Sequence, residues 1–152
     1  MSTETQSQTV ELSMLLPKAL DTKIHIRLSC RTKAIILNLT TASADELSAA
    51  APMGSFVYAL PDRYNDAQPL ATTLYPHEPT LEFATRIAKL LARKLQMPVY
   101  VTNSISFANA GMGGTVEEEM EAFRAIVQIV LKQLQNAGVG GATVALDGMK
   151  LK

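Results

Sequence analysis

The chain has 152 residues, with 14 basic side chains against 14 acidic ones and a single cysteine, Cys30. Its length suits one domain whose hydrophobic core needs neither a metal nor a disulfide. The balanced charge and the short apolar runs argue against nucleic acid or a membrane as a partner. The polar N-terminus lacks the features of a signal peptide, so we expect the protein in the cytoplasm, with the nucleus as a second location.

Strands dominate the first half of the predicted fold. Residues 24–28 alternate between apolar and polar, as in a half-buried strand, and the apolar run 34–39 pairs with them across a short turn. A polar, alanine-rich connector over 40–53 precedes two further strands, at 56–60 and 70–75. Runs that are apolar at both odd and even positions predict strands covered on both faces.

A first amphipathic helix follows Pro79, with Thr80 as its predicted cap. Its apolar residues recur every three or four positions, which is the period of one helix face. They are Leu81, Ala84, Ile87, Ala88, Leu91 and Leu95. Pro98 prevents the helix from continuing, and the β-branched run 99–105 predicts another strand.

A second amphipathic helix begins at a capping box formed by Thr115 and Glu118 and ends near Gly138. The predicted apolar face consists of Val116, Met120, Phe123, Val127, Val130, Leu131 and Leu134. We predict one domain over residues 10–137, a disordered segment over 1–9, and a glycine-rich tail over 138–152 that could add a short strand at 142–146.

This order of elements predicts an α+β fold, a mainly antiparallel sheet with both helices packed on one face. Two helices can cover only one face of the sheet, so the second face needs another cover. A partner protein is one candidate, because large exposed apolar patches mark interaction surfaces. The long connector or the N-terminal segment is the other.

The residues predict no catalytic, metal or cofactor site. His77 stands in a proline-rich turn, His25 lies on the polar side of a strand, and Cys30 has no predicted histidine partner. The glycine loop 111–114 resembles a phosphate loop, but it lacks the Lys-Ser/Thr pair, and the acidic residues that follow would repel a phosphate. We read it as a flexible connector.

The candidate binding residues are therefore aromatic and basic. The aromatic side chains lie on strands whose face the sequence does not assign, either under the helices or on the uncovered face, and the basic ones form a helix stripe that could steer an acidic protein surface. The aromatic candidates are Phe56, Tyr58 and Tyr100, and the basic candidates are Arg86, Lys89 and Arg93.

Two segments, LLARKLQMPVYVTN at 90–103 and VEEEM at 116–120, resemble the family of the fourth proteasome assembly chaperone. A looser similarity extends through the strands 56–60 and 70–75, so that the resemblance covers roughly residues 20–135. The connector after Thr40 and the glycine-rich tail depart from the family pattern.

The resemblance implies a small α+β protein without enzymatic activity. It implies pairing with a related chaperone, the third, in a heterodimer that escorts an α-subunit into the α-ring of the 20S proteasome. Two alternatives stay open. One is a small enzyme or ligand-binding domain that uses His77 and the loop 111–114, and the other is a homodimeric module outside proteasome assembly.

Overall fold

The computed structural model describes residues 8–46 and 49–138. Within them the chain forms six strands, two helices and one short 3-10 turn, Ala44–Glu46. In chain order these are β1 (Gln8–Leu15), β2 (Lys23–Cys30), β3 (Ile35–Ala42), β4 (Ser55–Leu60), β5 (Leu70–Tyr75), α1 (Glu78–Leu95), β6 (Val99–Ser104) and α2 (Val116–Asn136).

The six strands form one sheet in the order β1-β2-β3-β6-β4-β5. All neighbouring strands are antiparallel except β3 and β6, which run parallel in the centre of the sheet. Strand β6, the last strand among the described residues, thus enters between β3 and β4 and joins the two antiparallel halves. The predicted α+β fold, with a mainly antiparallel sheet, is confirmed.

Both helices pack on the same face of this sheet. Every second residue of the central strands points into the core, where Ile26, Leu37, Val57 and Val101 have almost no exposed surface. Helix α1 packs on β4, β5 and β6, and the buried side of α2 belongs to the same core. Neither helix of the described residues is long and apolar enough to cross a bilayer.

The start of α1 differs from the prediction. His77 is the N-cap residue, and it makes no side-chain cap bond. Thr80, predicted as the cap, is buried inside the first turn, where its hydroxyl accepts a hydrogen bond from the backbone of Ser55 on β4. The cap prediction was wrong because this hydroxyl ties the helix to the sheet. At the other end Gln96 adopts a left-handed conformation, two residues before Pro98.

Helix α2 has the predicted capping box, but the first half of its predicted apolar face was wrong. Val116 and Met120 are exposed, and Phe123 and Val127 are only half-buried. The buried positions in this half of the helix are Glu118, Ala122 and Ile126. That stripe lies about 130° away around the helix axis, slightly more than a third of a turn. Small Ala122, fully buried, faces the core, whereas the larger Val116 and Met120 stay largely outside.

The chain ends are described only in part. Strand β1 was not predicted, although Val10, Leu12 and Met14 alternate with polar residues; it begins at Gln8, inside the segment 1–9 that was expected to be disordered. The predicted strand at 142–146 lies outside the described residues, as does nearly all of the glycine-rich tail.

Candidate protein-binding site

The face of the sheet opposite the helices carries an aromatic patch, formed by Phe56, Tyr58 and Tyr100. Strand pairing sets Tyr58 directly across from Tyr100, and Ile36 lies across from Tyr100 on the other side. All four side chains are half-buried. The structure therefore brings together the three predicted aromatic residues and places them on the face without helices.

The rings of the aromatic patch contact one another. Tyr58 and Tyr100 stack with centroids 4.6 Å apart and an interplanar angle of 22°. Phe56 tilts against Tyr100 at 6.2 Å and 56°. Aromatic pairs at such distances stabilise each other's positions, so the patch presents a fixed apolar surface.

Strand register extends the patch toward the edge strand β5. Leu60 pairs with Leu70 and Phe56 pairs with Tyr75, which places all of them on the open face. Leu60, Leu70 and Tyr75 are exposed. These three residues and Ile36 were not among the predicted binding residues. Period-two counting from Tyr58 identifies Leu60 and Phe56 as members of one face, but the partners on β3 and β5 depend on register.

The other end of the open face is polar. Asn38 Nδ2 donates to Thr102 Oγ1 at 2.7 Å, and Ser104 Oγ donates to Thr40 Oγ1 at 2.8 Å. The connector residues 51–53 line a cavity of about 520 Å³ over this region, together with His25. The connector thus reaches the polar end, whereas none of the aromatic patch lines this cavity.

His25 stands in this cavity with an unsatisfied polar atom. Within the described residues its Nε2 atom is buried and has no hydrogen-bond partner. Buried polar atoms in folded proteins are normally bonded, so this nitrogen is an exception among the described residues.

A buried hydrogen-bond network fixes the strands behind the aromatic patch. The hydroxyls of Ser55 and Thr80 are 2.9 Å apart, and Asn103 Nδ2 donates to the carbonyl of Thr80 at 3.1 Å. Gly54 precedes β4 with φ of +68°, and a Cβ atom there would lie 2.0 Å from the carbonyl oxygen of Asn103. Only glycine allows this approach. The network therefore joins β4, β6 and α1 into one rigid support.

The basic candidates lie elsewhere. Arg86, Lys89 and Arg93 are exposed on α1, in the helix layer on the far side of the sheet from the aromatic patch. Glu82 forms an ion pair with Arg86 at 2.5 Å, which leaves Lys89 and Arg93 as the freer charges. The structure thus separates the six predicted binding residues into two surfaces.

The glycine loop 111–114, which resembles a phosphate loop, holds a carboxylate of its own chain. Glu118 accepts hydrogen bonds from the backbone amides of Met112, Gly114 and Thr115, at 2.9 to 3.0 Å. These bonds lower the pKa of Glu118 below its ordinary value of 4.5, although burial acts in the opposite direction. The bond from the Thr115 amide has the largest effect, and the bond from the Met112 amide has the next largest. The amides that a phosphate would need are therefore already occupied.

The geometry gives little support to the alternative of an enzyme or ligand-binding site at His77 and the loop 111–114. His77, Gly113 and Gly114 do line one cavity, of about 440 Å³, so the structure brings these residues together. Burial raises the pKa of the Cys30 thiol, which makes it a weaker nucleophile. Over residues 8–46 and 49–138, no cluster of histidine, cysteine, aspartate or glutamate could hold a metal ion.

The fold and this site define a small α+β protein with a half-buried aromatic patch on the sheet face opposite its helices. Comparison with known families identifies it further. Residues 23–105 match the model of the family described as proteasome assembly chaperone 4. This match covers more than half of the 152 residues, and the chain belongs to that family.

Comparison with solved structures shows that the fold of the chain is similar to that of a known protein. A chain from the crystal structure of a chaperone complex for yeast 20S proteasome assembly superimposes with a TM-score of 0.60 and 15% sequence identity. The alignment covers 84% of the present chain and 97% of the yeast one. A search of curated proteins gave no match. Membership of this family supports a role for the chain as a chaperone in proteasome assembly.

Proposed function

We propose that this chain pairs with a related chaperone of the third type through the aromatic patch, and that the heterodimer binds a 20S proteasome α-subunit and promotes assembly of the α-ring. The observation that carries the proposal is the stacked pair Tyr58 and Tyr100 on a sheet face that neither of the two described helices covers. The place of action would be the cytoplasm, with the nucleus as a second location.

The composition of the open face supports pairing with another sheet. Interface centres are enriched in tyrosine and phenylalanine, and the residues that dominate binding energy cluster there. The patch continues onto exposed Leu60, Leu70 and Tyr75, so the apolar surface is wider than its three rings. The structural neighbour comes from a chaperone complex, which agrees with a paired state for this chain.

The basic stripe suits the second binding event. Lys89 and Arg93 face away from the sheet, so a partner chaperone on the aromatic patch would leave them accessible. Exposed charges accelerate the encounter with an oppositely charged surface more than they tighten the final complex. We therefore assign the aromatic patch to the partner chaperone and the basic stripe to the initial contact with an acidic surface of the α-subunit.

The pairing step is tested by mixing the purified chain with the purified third-type chaperone of the same organism. Size-exclusion chromatography with light scattering should give a one-to-one complex. The substitution Tyr100→Ala should abolish the complex, whereas Tyr64→Ala should preserve it. Tyr64 is a matched control because it is 97% exposed in the loop between β4 and β5.

The α-subunit step uses the same complex, with each recombinant α-subunit added in turn. The proposal expects one subunit to join the heterodimer in a stable ternary complex. If the chain forms a stable homodimer and does not bind the third-type chaperone, the homodimeric alternative replaces the pairing proposal. If the heterodimer forms but binds no α-subunit, only the second step fails.

A further inference from the structure

A groove between the beginnings of α1 and α2 is the second apolar surface of the molecule. It exists because the first half of α2 has two apolar stripes: Ala122 and Ile126 enter the core, whereas Val116 and Met120 of the second stripe stay largely outside it. Val116 and Met120 of the second stripe are 71% and 46% exposed. A helix that merely covers a sheet needs one apolar face, so the second stripe is available to something else.

Three phenylalanines from three segments form the floor of this groove. Phe83 on α1 packs edge-on against Phe123 on α2, with centroids 5.5 Å apart. Phe107, in the loop before α2, lies 5.9 Å from Phe83. The groove has a volume of about 420 Å³. Glu118 bonds the amides of the same loop, so the floor is already in place before anything binds.

The rim of the groove is acidic. Glu78, Glu82 and Glu119 line it, against Arg86 and Arg124. The ion pair between Glu82 and Arg86 cancels one charge of each sign, which leaves Glu78 and Glu119 against Arg124.

Further acidic residues surround this end of the groove. Glu117 and Glu121 are exposed on the first turns of α2. Each helix N-terminus contributes about half a positive charge, and the acidic side chains exceed this contribution. The groove therefore combines apolar anchoring positions with an excess of negative charge at one end.

We propose that this groove binds a short amphipathic helix of a partner protein, one that carries lysine or arginine beside its apolar face. The apolar side chains of the partner would lie on Phe83 and Met120, and its basic residues would face Glu78 and Glu119. Helix recognition in apolar grooves follows this pattern, with anchors spaced by three and four residues. The groove lies in the helix layer, so the proposal does not depend on what covers the aromatic patch.

The test uses the full chain and three fluorescein-labelled 18-residue helical peptides with the same leucine anchors. Their flanking positions are all lysine, all glutamine or all glutamate. Fluorescence anisotropy should rank the affinities lysine over glutamine over glutamate. The first and last should differ by about tenfold at low salt, and the difference should shrink as salt screens the charges. Equal affinities, or no binding of any peptide, would overturn the proposal.

Substitutions locate the binding and separate its two components. Met120→Gln keeps the size and charge of the side chain but removes its apolar character, and should weaken all three peptides about tenfold. Met53→Gln is the matched control, because Met53 is 44% exposed but lines the cavity on the other sheet face. Glu119→Gln should reduce only the preference for the lysine peptide.

Two checks protect this interpretation. Circular dichroism establishes that Met120→Gln is folded, and Val116→Gln provides a second, still more exposed, position in the same groove. Sedimentation of the chain without peptide tests self-occupancy. A dimer that dissociates on Met120→Gln would show that a second copy fills the groove, and would overturn the proposal. Peptide binding that is indifferent to both groove substitutions would do the same.

Discussion

The two faces of the sheet are built from different side chains. The face under the helices is aliphatic, and its central residues, such as Leu37 and Val101, have no exposed surface. The open face carries rings and hydroxyl groups that are half-buried, such as Tyr100 and Thr102. Aliphatic side chains fill a core closely, whereas aromatic and hydroxyl groups combine apolar area with polar atoms that tolerate water until a partner arrives. The helix face therefore stabilises the fold, and the open face is the one that the proposed function assigns to binding.

The largest expected effect tests this division on two adjacent residues of β3. Leu37 points into the core and Ile36 onto the open face. Leu37→Ala should lower the free energy of unfolding by about 2 to 5 kcal/mol, because it removes buried methyl groups and leaves a cavity. Ile36→Ala should cost less than about 1.5 kcal/mol, since its side chain already contacts water. Urea denaturation of the unpaired chain measures both. Equal losses would mean that the two faces are equally important for folding.

The second effect concerns pairing. Here a substitution on the open face should weaken binding strongly and reduce the stability of the unpaired chain only slightly. Tyr100→Ala should weaken binding of the partner chaperone by about 2 kcal/mol or more, roughly thirtyfold in Kd, because aromatic residues at interface centres dominate affinity. The stability of the unpaired chain should fall by only about 1 kcal/mol, the worth of the lost stacking on Tyr58. Isothermal titration calorimetry and urea denaturation provide the two numbers. A large loss of stability with unchanged Kd would assign Tyr100 to the fold.

The third effect depends on pH and tests the carboxylate that holds the loop beside the groove. The pKa of Glu118 in the folded chain lies below its ordinary value of 4.5. Its contribution to stability is therefore complete above pH 4.5 and is lost as the pH falls through the folded pKa. Glu118→Gln should destabilise the chain at pH 7 and make its stability less sensitive to acid below pH 4.5.

Urea denaturation from pH 7 to pH 3 measures this difference. Thr115→Ala is the companion variant, since it removes the other half of the capping box and should cost about 1 kcal/mol. It leaves the bonds from Glu118 to the amides of Met112 and Gly114 in place, so an acid-dependent loss should persist. If Glu118→Gln and the unsubstituted chain lose stability in parallel on acidification, the carboxylate does not hold the loop.

Local patterns predicted most of these elements but not which surfaces meet. The strands at 56–60 and 70–75 and the helix that ends before Pro98 follow from alternation, helical period and proline geometry. The face of Tyr58 and Tyr100 could not be assigned, because both faces of a central strand are apolar and only register decides between them.

Helix α2 also shows that a local pattern does not determine which surface is buried. Its sequence contains two apolar stripes, and the wider one, with Val116 and Met120, was predicted to be buried. Over the first half of the helix the core accepted the stripe of Ala122 and Ile126 instead, whereas Val130, Leu131 and Leu134 of the predicted face are buried. Periodicity identifies an apolar face but does not measure the space available on the sheet, which here suits a small residue. The groove could therefore be found only from the packing.

The smallest expected effect belongs to the basic stripe. It shows whether these charges change the rate of association or the rate of dissociation. Lys89→Glu with Arg93→Glu should slow association of the heterodimer with the α-subunit by about threefold to tenfold at low salt, with little change in the dissociation rate, because exposed charges act mainly on encounter. Lys132→Glu is the control, since this lysine is exposed on α2 outside the stripe. Stopped-flow measurements at two salt concentrations provide the rates. An altered dissociation rate would place the stripe inside the bound interface. Equal association rates for the stripe and control variants would show that the stripe does not steer the encounter with the α-subunit.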